Sequence, residues 1–550
     1  MSRPVVKYYH TNWSVYGRGF NVADVPDEQT DLIYSFFDVQ PDGNMASLDT
    51  YSDFEKHFSK VENIPGQDKP RCIDCVLRPD TWDSQDPNQV YGNIGQFIQL
   101  SEKRRSQNLR FKLDVSIGGW TRSKHFSTVM KTEATRTALK NSLVDFFDKY
   151  PVFTGVSIDW EYVHEEQNFG DPGNMWSPDD PDNFLKFLKI LRPALNALGK
   201  KNAKEYSIAF CVSGDPAKIT SRIKDIAKYL DELHIMTYDM YDGNFGAGLA
   251  RHHTPPRTRK GDLSAERAAK YVIAQGVPAQ KIFIGVAFYS RGWSEFTGKV
   301  ALYEQATRGS RGKTWEQGIR DYKEIVRAGE NILTDPETKG AYVLDESDGG
   351  NIDTFDDPRS VKEKVKIVKE LGLGGLLVWE NSADVPPYDP DHGDMSLTGT
   401  MYKALGIDKW NSTIDDTDRK PKQPSTDTGG SGESTDDNTD TDTDSDGDDD
   451  TDSDGDDRSK KNKEKTSSRK IPKWLLWTGV SVTVVIVFIL ILIKSKGSAQ
   501  VTWSLGRISW LVIFLLLAVF LNILFGYLAF DEPKPSAKAR EVVPKSSDKA

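Results

Sequence analysis

Through about residue 407, short apolar runs rich in β-forming residues alternate with longer polar stretches of helical character. The apolar runs include 112–117, 156–160, 206–212, 233–238, 282–288 and 376–379. This alternation predicts parallel strands that are covered by helices. A length of about 400 residues suits an α/β fold of the (β/α)8 TIM-barrel type, so we predict one such barrel over residues 1–407.

A barrel of this type also predicts where an insertion and a site should lie. The interval between Trp293 and Leu376 is too long for one crossover, which predicts a small α+β insertion at about 294–350, between strands 7 and 8. Sites in these barrels lie at the carboxyl ends of the strands. Five residues with useful chemistry end predicted strands: Asp159, Glu161, Tyr238, Asp239 and Trp379.

The run 153–162 places two acids on one face of a strand. Side chains alternate along it, so Ser157, Asp159 and Glu161 point one way and the intervening apolar residues point the other way. One anion raises the pKa of its neighbour, so one carboxyl stays protonated near neutral pH. A protonated Glu beside an ionised Asp suits acid-assisted glycoside cleavage. The alternative is an ordinary strand with two solvated acids at its end.

The same run carries a family resemblance. The pattern Thr154-x-x-Ser157-x-Asp159-x-Glu161 resembles Asp-x-x-Asp-x-Asp-x-Glu, the signature of family-18 glycoside hydrolases, the chitinase family. Its last two acids match, whereas hydroxyl residues replace the first two. Further segments resemble barrel strands of that family in the family's order: 5–9 with Asn12-Trp13, 31–37, Ser116-Ile117-Gly118-Gly119-Trp120, Met236-Thr237-Tyr238-Asp239, 285–293 and 374–380.

The resemblance implies a retaining, substrate-assisted mechanism without a protein nucleophile. Glu161 would be the general acid and Asp159 would orient the substrate acetamido group, whose oxygen attacks the anomeric carbon. Tyr238 would hydrogen-bond that group and Trp379 would form an apolar floor. Other expected substrate-binding residues are Ser157, Met236 and Trp120, Tyr8 and Ser116 beneath Asp159, and Asp239 and Arg291 on the groove wall. Trp13, Trp293 and Phe245 are either stacking surfaces for sugars or core residues.

Ser157 is the main departure from the family pattern. A serine accepts or donates a hydrogen bond beside Asp159 but cannot share a proton with it as a carboxylate does. Asp159 should therefore titrate lower than it would beside a second acid, and we expect reduced or shifted activity. Chitin or chitooligosaccharides are the expected partners. A weakly active chitin-binding protein and an endo-β-N-acetylglucosaminidase remain as alternatives.

The carboxyl-terminal region has a different composition. Residues 411–457 carry 18 acids and three bases, so this segment is more negative than the whole chain, whose net charge is −11. Residues 408–473 should form a disordered linker with a basic end. The Asp-Gly-Asp spacing does not fit an EF-hand loop. Outside this acidic segment the chain carries only a small net positive charge, so we expect no nucleic-acid partner.

Two apolar segments, 474–493 and 508–530, are each long enough to span a bilayer and predict a membrane hairpin, followed by a basic tail at 531–550. No amino-terminal signal peptide is evident, and basic residues flank both sides of the hairpin, which favours a cytoplasmic barrel. The pair Cys72 and Cys75 has redox spacing, but we interpret it as structural or incidental. We expect neither a metal nor a cofactor.

Overall fold

Eight parallel strands form a closed barrel. The computed structural model describes residues 4–62, 71–72, 77–79 and 89–407. Barrel strands 1 to 8 are Val5–Thr11, Asp31–Val39, Lys112–Gly118, Gly155–Asp159, Ser207–Ser213, Glu232–Met236, Ile282–Ala287 and Gly375–Trp379. Each strand pairs with its neighbour in the chain, and strand 8 pairs with strand 1. The predicted eight-stranded parallel barrel is confirmed.

Helices cover the outside of the barrel. The α-helices of the described residues are Gly92–Ser106, Phe126–Lys131, Glu133–Lys149, Asp180–Asn202, Ile223–Ala227, Ala265–Ala274, Tyr322–Arg327, Pro358–Leu371 and Leu397–Leu405. The helix Pro358–Leu371 shows how the sequence sets their bounds. The Asp357 side chain accepts the Arg359 and Ser360 backbone N–H groups at its start, and Gly372 ends it in the left-handed region at φ 63°.

Strand 4 illustrates the division between the two faces of the wall. Val156, Ile158 and Trp160 point outward into the core beneath the helices, where the Trp160 ring stacks on Phe126 at 5.2 Å between centroids. The alternate residues, including Ser157 and Asp159, point inward. The two-residue period of the strand therefore separates an apolar shell from a more polar interior, as the alternation predicts.

A small α+β unit lies between strands 7 and 8. Its strands are Tyr289–Phe296, Gln305–Gly309, Arg320–Asp321, Leu333–Thr334, Ala341–Asp345 and Asn351–Phe355, with the pair Gly248–Leu249 added from the loop after strand 6. Pairing in this sheet is antiparallel. The unit occupies 289–355 rather than 294–350, because its first strand starts almost directly after strand 7. Three short strands lie elsewhere: Met45–Ser47, Val61–Glu62 and Arg71–Cys72.

The predicted linker, both predicted membrane segments and the basic tail lie at 408–550, outside the described residues. Cys75 also lies outside them. Within the part of the chain that the structure describes, no helix is both long enough and apolar enough to cross a bilayer.

Candidate active site

A groove of about 1200 Å³ opens at the carboxyl ends of the barrel strands. That volume exceeds the range of about 300–1000 Å³ for small-molecule sites, so the groove has room for an oligomer. Its walls come from the loops after seven of the barrel strands and from the insertion. Aromatic side chains line much of it: Tyr9, Trp13, Tyr16, Phe36, Trp120, Tyr162, Tyr238, Phe245, Tyr289, Trp315 and Trp379.

Two glycines at the end of strand 3 shape the floor of this groove. Gly118 and Gly119 have φ values of 104° and 97°, a region that residues with a Cβ rarely adopt. A Cβ on Gly118 would lie 2.2 Å from the carbonyl oxygen of Asp159. The Gly119 N–H donates to that same oxygen at 2.7 Å. The close approach of two backbones fixes the end of strand 4, from which both acids project.

Asp159 and Glu161 both lie at the bottom of the groove and are 4% and 8% exposed. The Glu161 backbone N–H donates to the Ser123 hydroxyl oxygen at 2.8 Å, and Asn174 Nδ2 donates to the Glu161 carbonyl at 3.1 Å. The loop that carries Glu161 is therefore held on both sides. This support fixes the carboxyl group of Glu161 relative to the groove floor.

Burial dominates the titration of this acid pair. It raises the pKa of Asp159 to about 7, while the Cys211 thiol opposes that shift. Burial also raises the pKa of Glu161 well above its ordinary value, and the negative charge of Asp159 raises it further. Of the two acids, Glu161 is consequently the one that holds its proton more firmly. A buried proton donor next to an ionisable carboxylate can carry out general acid catalysis.

The groove wall after strand 6 carries a third carboxyl group, Asp239, whose pKa is shifted in the opposite direction. Asp239 has φ 54° and accepts a hydrogen bond from the Tyr289 hydroxyl at 2.6 Å. Arg291 contacts Asp239 through Nε and reaches Asp242 at 2.9 Å. Although burial opposes ionisation, the Arg291 guanidinium holds the pKa of Asp239 well below its ordinary range. Asp239 is thus a fixed anion in the wall, beside the phenol ring of Tyr238.

An aromatic cluster forms the other side of the groove. The Trp379 ring stacks on Phe36 at 5.6 Å between centroids and lies 5.2 Å from Tyr9 and 6.4 Å from Trp13. Trp120, across the groove, keeps 46% of its surface exposed. Flat apolar faces that remain in contact with solvent are suited to the apolar faces of sugar rings.

Comparison with known sequences identifies the family. The sequence profile described as "Glycosyl hydrolases family 18" matches residues 5–384. The chain belongs to this family. It is therefore a glycosidase by family, in agreement with the resemblance of the strand-4 pattern.

Individual relatives of this family-18 chain are similar over most of the barrel. Chitinase 1 of Aphanocladium album is 31% identical over 406 residues, which cover 72% of this chain and 84% of that protein. Chitinase A1 of Niallia circulans is 33% identical, with 74% of this chain and 63% of that protein covered. Among solved structures, chitinase ChiA74 from Bacillus thuringiensis matches with a TM-score of 0.61 at 26% identity, covering 74% of this chain and 70% of that chain.

The structure brings most of the sequence-predicted site residues to the groove of this family-18 barrel. Those that line it are Asp159, Glu161, Tyr238, Met236, Asp239, Arg291, Trp120, Trp379, Trp13 and Phe245. Ser157 and Ser116 are fully buried in the barrel interior below the groove. They lie opposite each other on the paired strands 4 and 3. These two serines are therefore too deep to contact a substrate in the groove.

One aromatic expectation, Tyr8, is wrong, and the two alternatives for Trp293 are decided in favour of the core. Tyr8 points out of the barrel into the core, where its ring lies 6.5 Å from that of Phe288. Its neighbour Tyr9 is the tyrosine that faces inward and lies beneath the acid pair. Trp293 is only 4% exposed, and its indole N–H donates to the Arg251 carbonyl at 2.9 Å. It is a core residue of the insertion rather than a sugar-stacking surface.

Sequence reasoning also missed three groups at the site. The alternation of side chains along strand 1 would have predicted that Tyr9 faces inward, because Val6 and Tyr8 share the outward face. Trp315 of the insertion is 48% exposed in the groove, but no motif singles it out. Cys211 lies inside the barrel with its thiol against two hydroxyl groups. In the described residues, no group of His, Cys, Asp or Glu could hold a metal ion.

Proposed function

We propose that this chain is a chitinase that hydrolyses β-1,4-linked N-acetylglucosamine polymers with Glu161 as the general acid. The observation that best supports this proposal is the buried Glu161, whose pKa is raised by burial and by the charge of Asp159, at the floor of a long groove with aromatic walls. The names of the relatives point to the same substrate. The fold alone would not select it, because TIM barrels support many reactions.

In the proposed reaction Glu161 gives its proton to the glycosidic oxygen while the substrate acetamido oxygen attacks the anomeric carbon. The bond from that carbon to the leaving sugar breaks, and a cyclic oxazolinium ion forms. Glu161, now a carboxylate, then takes a proton from water, whose oxygen attacks the anomeric carbon and reopens the ring. The configuration at the anomeric carbon is retained, and Glu161 regains its proton.

The neighbouring groups fit supporting functions in this reaction. The Asp159 carboxylate is close enough to influence Glu161 and would accept the acetamido N–H, which offsets the positive charge of the oxazolinium ion. The Tyr238 hydroxyl would hold the acetamido group from the opposite side. Trp379 would carry the apolar face of the sugar whose bond is cleaved.

The first prediction tests the general acid. We expect Glu161→Gln to lower the turnover of a fluorogenic chitooligosaccharide by about 10²–10⁴-fold, because the amide has nearly the same shape but donates no proton of comparable acidity. Affinity for an unhydrolysed chitooligosaccharide, measured by calorimetry, should stay close to that of the parent chain. Glu166→Gln is the matched control, since Glu166 is an exposed carboxylate on the same loop.

Three other outcomes would each decide against the proposal in a different way. Parent-like turnover in Glu161→Gln would remove Glu161 from the mechanism. Tight binding by the parent chain without turnover would favour a chitin-binding protein. Cleavage of N-linked glycans with no action on chitooligosaccharides would favour an endo-β-N-acetylglucosaminidase.

A further inference from the structure

The interior of the barrel beside Asp159 contains a thiol group, that of Cys211, which family membership does not explain. Strand 5 pairs with strand 4 so that Ile158 lies opposite Phe210. The next residue on each strand, Asp159 and Cys211, therefore reach the same level of the barrel. Both side chains face inward, and Cys211 is fully buried.

Cys211 is surrounded by hydroxyl groups. The Tyr9 hydroxyl lies 3.2 Å from Cys211 Sγ and 3.2 Å from Ser157 Oγ, and Ser157 Oγ lies 3.6 Å from Cys211 Sγ. These three groups carry three protons. If Ser157 donates to Tyr9 and Tyr9 donates to the sulfur, the thiol proton is left free to point towards Asp159.

The Asp159 carboxylate needs such a donor. Its Oδ1 atom is buried and has no hydrogen-bond partner among the described residues. A buried carboxylate oxygen without a partner is costly, so a donor at its own level of the barrel stabilises it. The interaction of Cys211 with Asp159 favours the ionised carboxylate, and the hydrogen bond with Tyr9 lowers the pKa of Cys211, as expected when the Tyr9 hydroxyl donates to the sulfur. Both interactions agree with a thiol proton that points towards Asp159.

We propose that Cys211 is a positioning residue, whose thiol is oriented by Tyr9 and Ser157 and donates a hydrogen bond that fixes the Asp159 carboxylate. This inference rests on the proposed chitinase function, in which Asp159 must hold the acetamido group. It also gives a physical reason why serine is tolerated at position 157. Ser157 stands at the place where the family pattern has a carboxylate. Here it is the first member of a chain of neutral hydrogen-bond donors that ends at Asp159.

The test uses the full chain with Cys72 and Cys75 replaced by serine, so that one thiol remains of the three. Cys211→Val keeps the volume without a donor, and Cys211→Ser keeps a donor. We expect Cys211→Val to lower kcat about tenfold, as for loss of one hydrogen bond to a charged acceptor, and Cys211→Ser to recover most of it. KM should stay within about twofold in both variants, because the interaction acts on the reacting group.

The pH profile separates positioning from packing. Loss of the donor disfavours the Asp159 carboxylate, so the acidic limb of the kcat profile should move to higher pH in Cys211→Val but not in Cys211→Ser. The other titratable groups that interact with Asp159 are unchanged in both variants: Glu161, Tyr162, Tyr9 and Tyr238. Equal losses of kcat in both variants, with equal falls in Tm and no shift of the profile, would overturn the proposal.

A second readout does not depend on activity. The infrared S–H stretching band of Cys211 should shift when Asp159 is replaced in Asp159→Asn, because the acceptor loses its charge. An unchanged band would overturn the positioning proposal even in an active enzyme. If the parent chain hydrolyses no chitooligosaccharide but the band shifts, the proposed function fails and the hydrogen bond to Asp159 stands.

Discussion

At the scale of single residues, the site depends on how each carboxyl group is paired. Asp239 is paired with Arg291 and stays ionised, whereas Glu161 forms no salt bridge with a cation of the described residues and burial raises its pKa. The two groups lie in one groove, yet their pKa values move in opposite directions. Paired titratable groups whose surroundings separate their pKa values are the usual basis for assigning acid and base functions.

Position 157 provides the second prediction. Ser157→Asp adds a carboxyl group to a fully buried position that has the Tyr9 hydroxyl and the Cys211 thiol as neighbours and, in the described part of the chain, no cation in contact. The folded state should keep the new group neutral, so its pKa lies above the unfolded value. We expect the free energy of unfolding to fall by about 1–3 kcal/mol at pH 8 and by less at pH 5, where the group is protonated in the folded state.

Urea unfolding at both pH values measures this effect. Ser157→Asn is the matched control, because it adds the same bulk without a titratable group. A loss of stability that is the same for Asp and Asn at both pH values would show that size, and not charge, limits position 157.

At the scale of elements, strand periodicity predicted more of the site than motif matching did. It correctly predicted that Val156, Ile158 and Trp160 face the core and that the two acids, Asp159 and Glu161, face the groove. The error at Tyr8 arose because two adjacent tyrosines both suit the family's motif, and only alternation distinguishes them. The placement of Trp315 could not be predicted in this way, since the insertion meets the barrel through tertiary contacts that no local pattern encodes.

Those contacts lead to the third prediction. Trp315 from the insertion lies beside the loop after strand 1: the Arg18 guanidinium is 5.6 Å from the centre of its ring, and a Cβ on Gly17 would be 2.6 Å from it. Its indole N–H donates to Asp321 at 3.2 Å. The ring is thus held in place while half of its surface faces the groove. We interpret it as a binding surface for sugars remote from the cleaved bond.

We expect Trp315→Leu to raise KM for a chitohexaose-length substrate about five- to tenfold, a loss of about 1–1.4 kcal/mol, which is typical of one aromatic contact. KM for the shortest cleavable substrate should stay unchanged, because that substrate does not reach the insertion. Tyr388→Leu is the control, since Tyr388 is 67% exposed and lies outside the groove lining. An equal rise of KM for short and long substrates would contradict a remote binding surface.

At the scale of the whole molecule, the two ends of the barrel are electrostatically different. The upper end holds the groove, and the lower end is closed by a buried charge cluster. Lys7 from strand 1 lies 2.9 Å from Glu232, 3.2 Å from Asp114 and 4.0 Å from Asp31, which come from strands 6, 3 and 2. Sequence patterns gave the barrel but not this cluster, because its members are far apart in the chain. The predicted linker and membrane hairpin lie beyond the described residues and stay predictions.

The last prediction concerns this cluster. Burial opposes the charge on Glu232, but Lys7 and His234 together outweigh it and lower the pKa of Glu232 to about 2. Between that value and the unfolded value near 4, the unfolded state binds more protons, so stability should fall as the pH drops through this window. Lys7→Met leaves several buried carboxylates without their shared cation. We expect it to lower the free energy of unfolding at pH 7 by about 3–5 kcal/mol, as for removal of one partner from a buried ion pair.

The sign of the pH dependence distinguishes this mechanism from simple loss of packing. Without Lys7, the pKa values of the neighbouring carboxyls rise in the folded state, so protonation relieves the cost and the difference from the parent chain should shrink towards pH 4. Urea unfolding between pH 4 and pH 8 measures it, with Lys201→Met as the control. Lys201 is 63% exposed and pairs with Asp148 at the surface, so its loss should change stability by less than about 1 kcal/mol. A Lys7→Met deficit that is constant with pH would mean that the side chain stabilises the barrel by filling space, and that the charges at its lower end are compensated in another way.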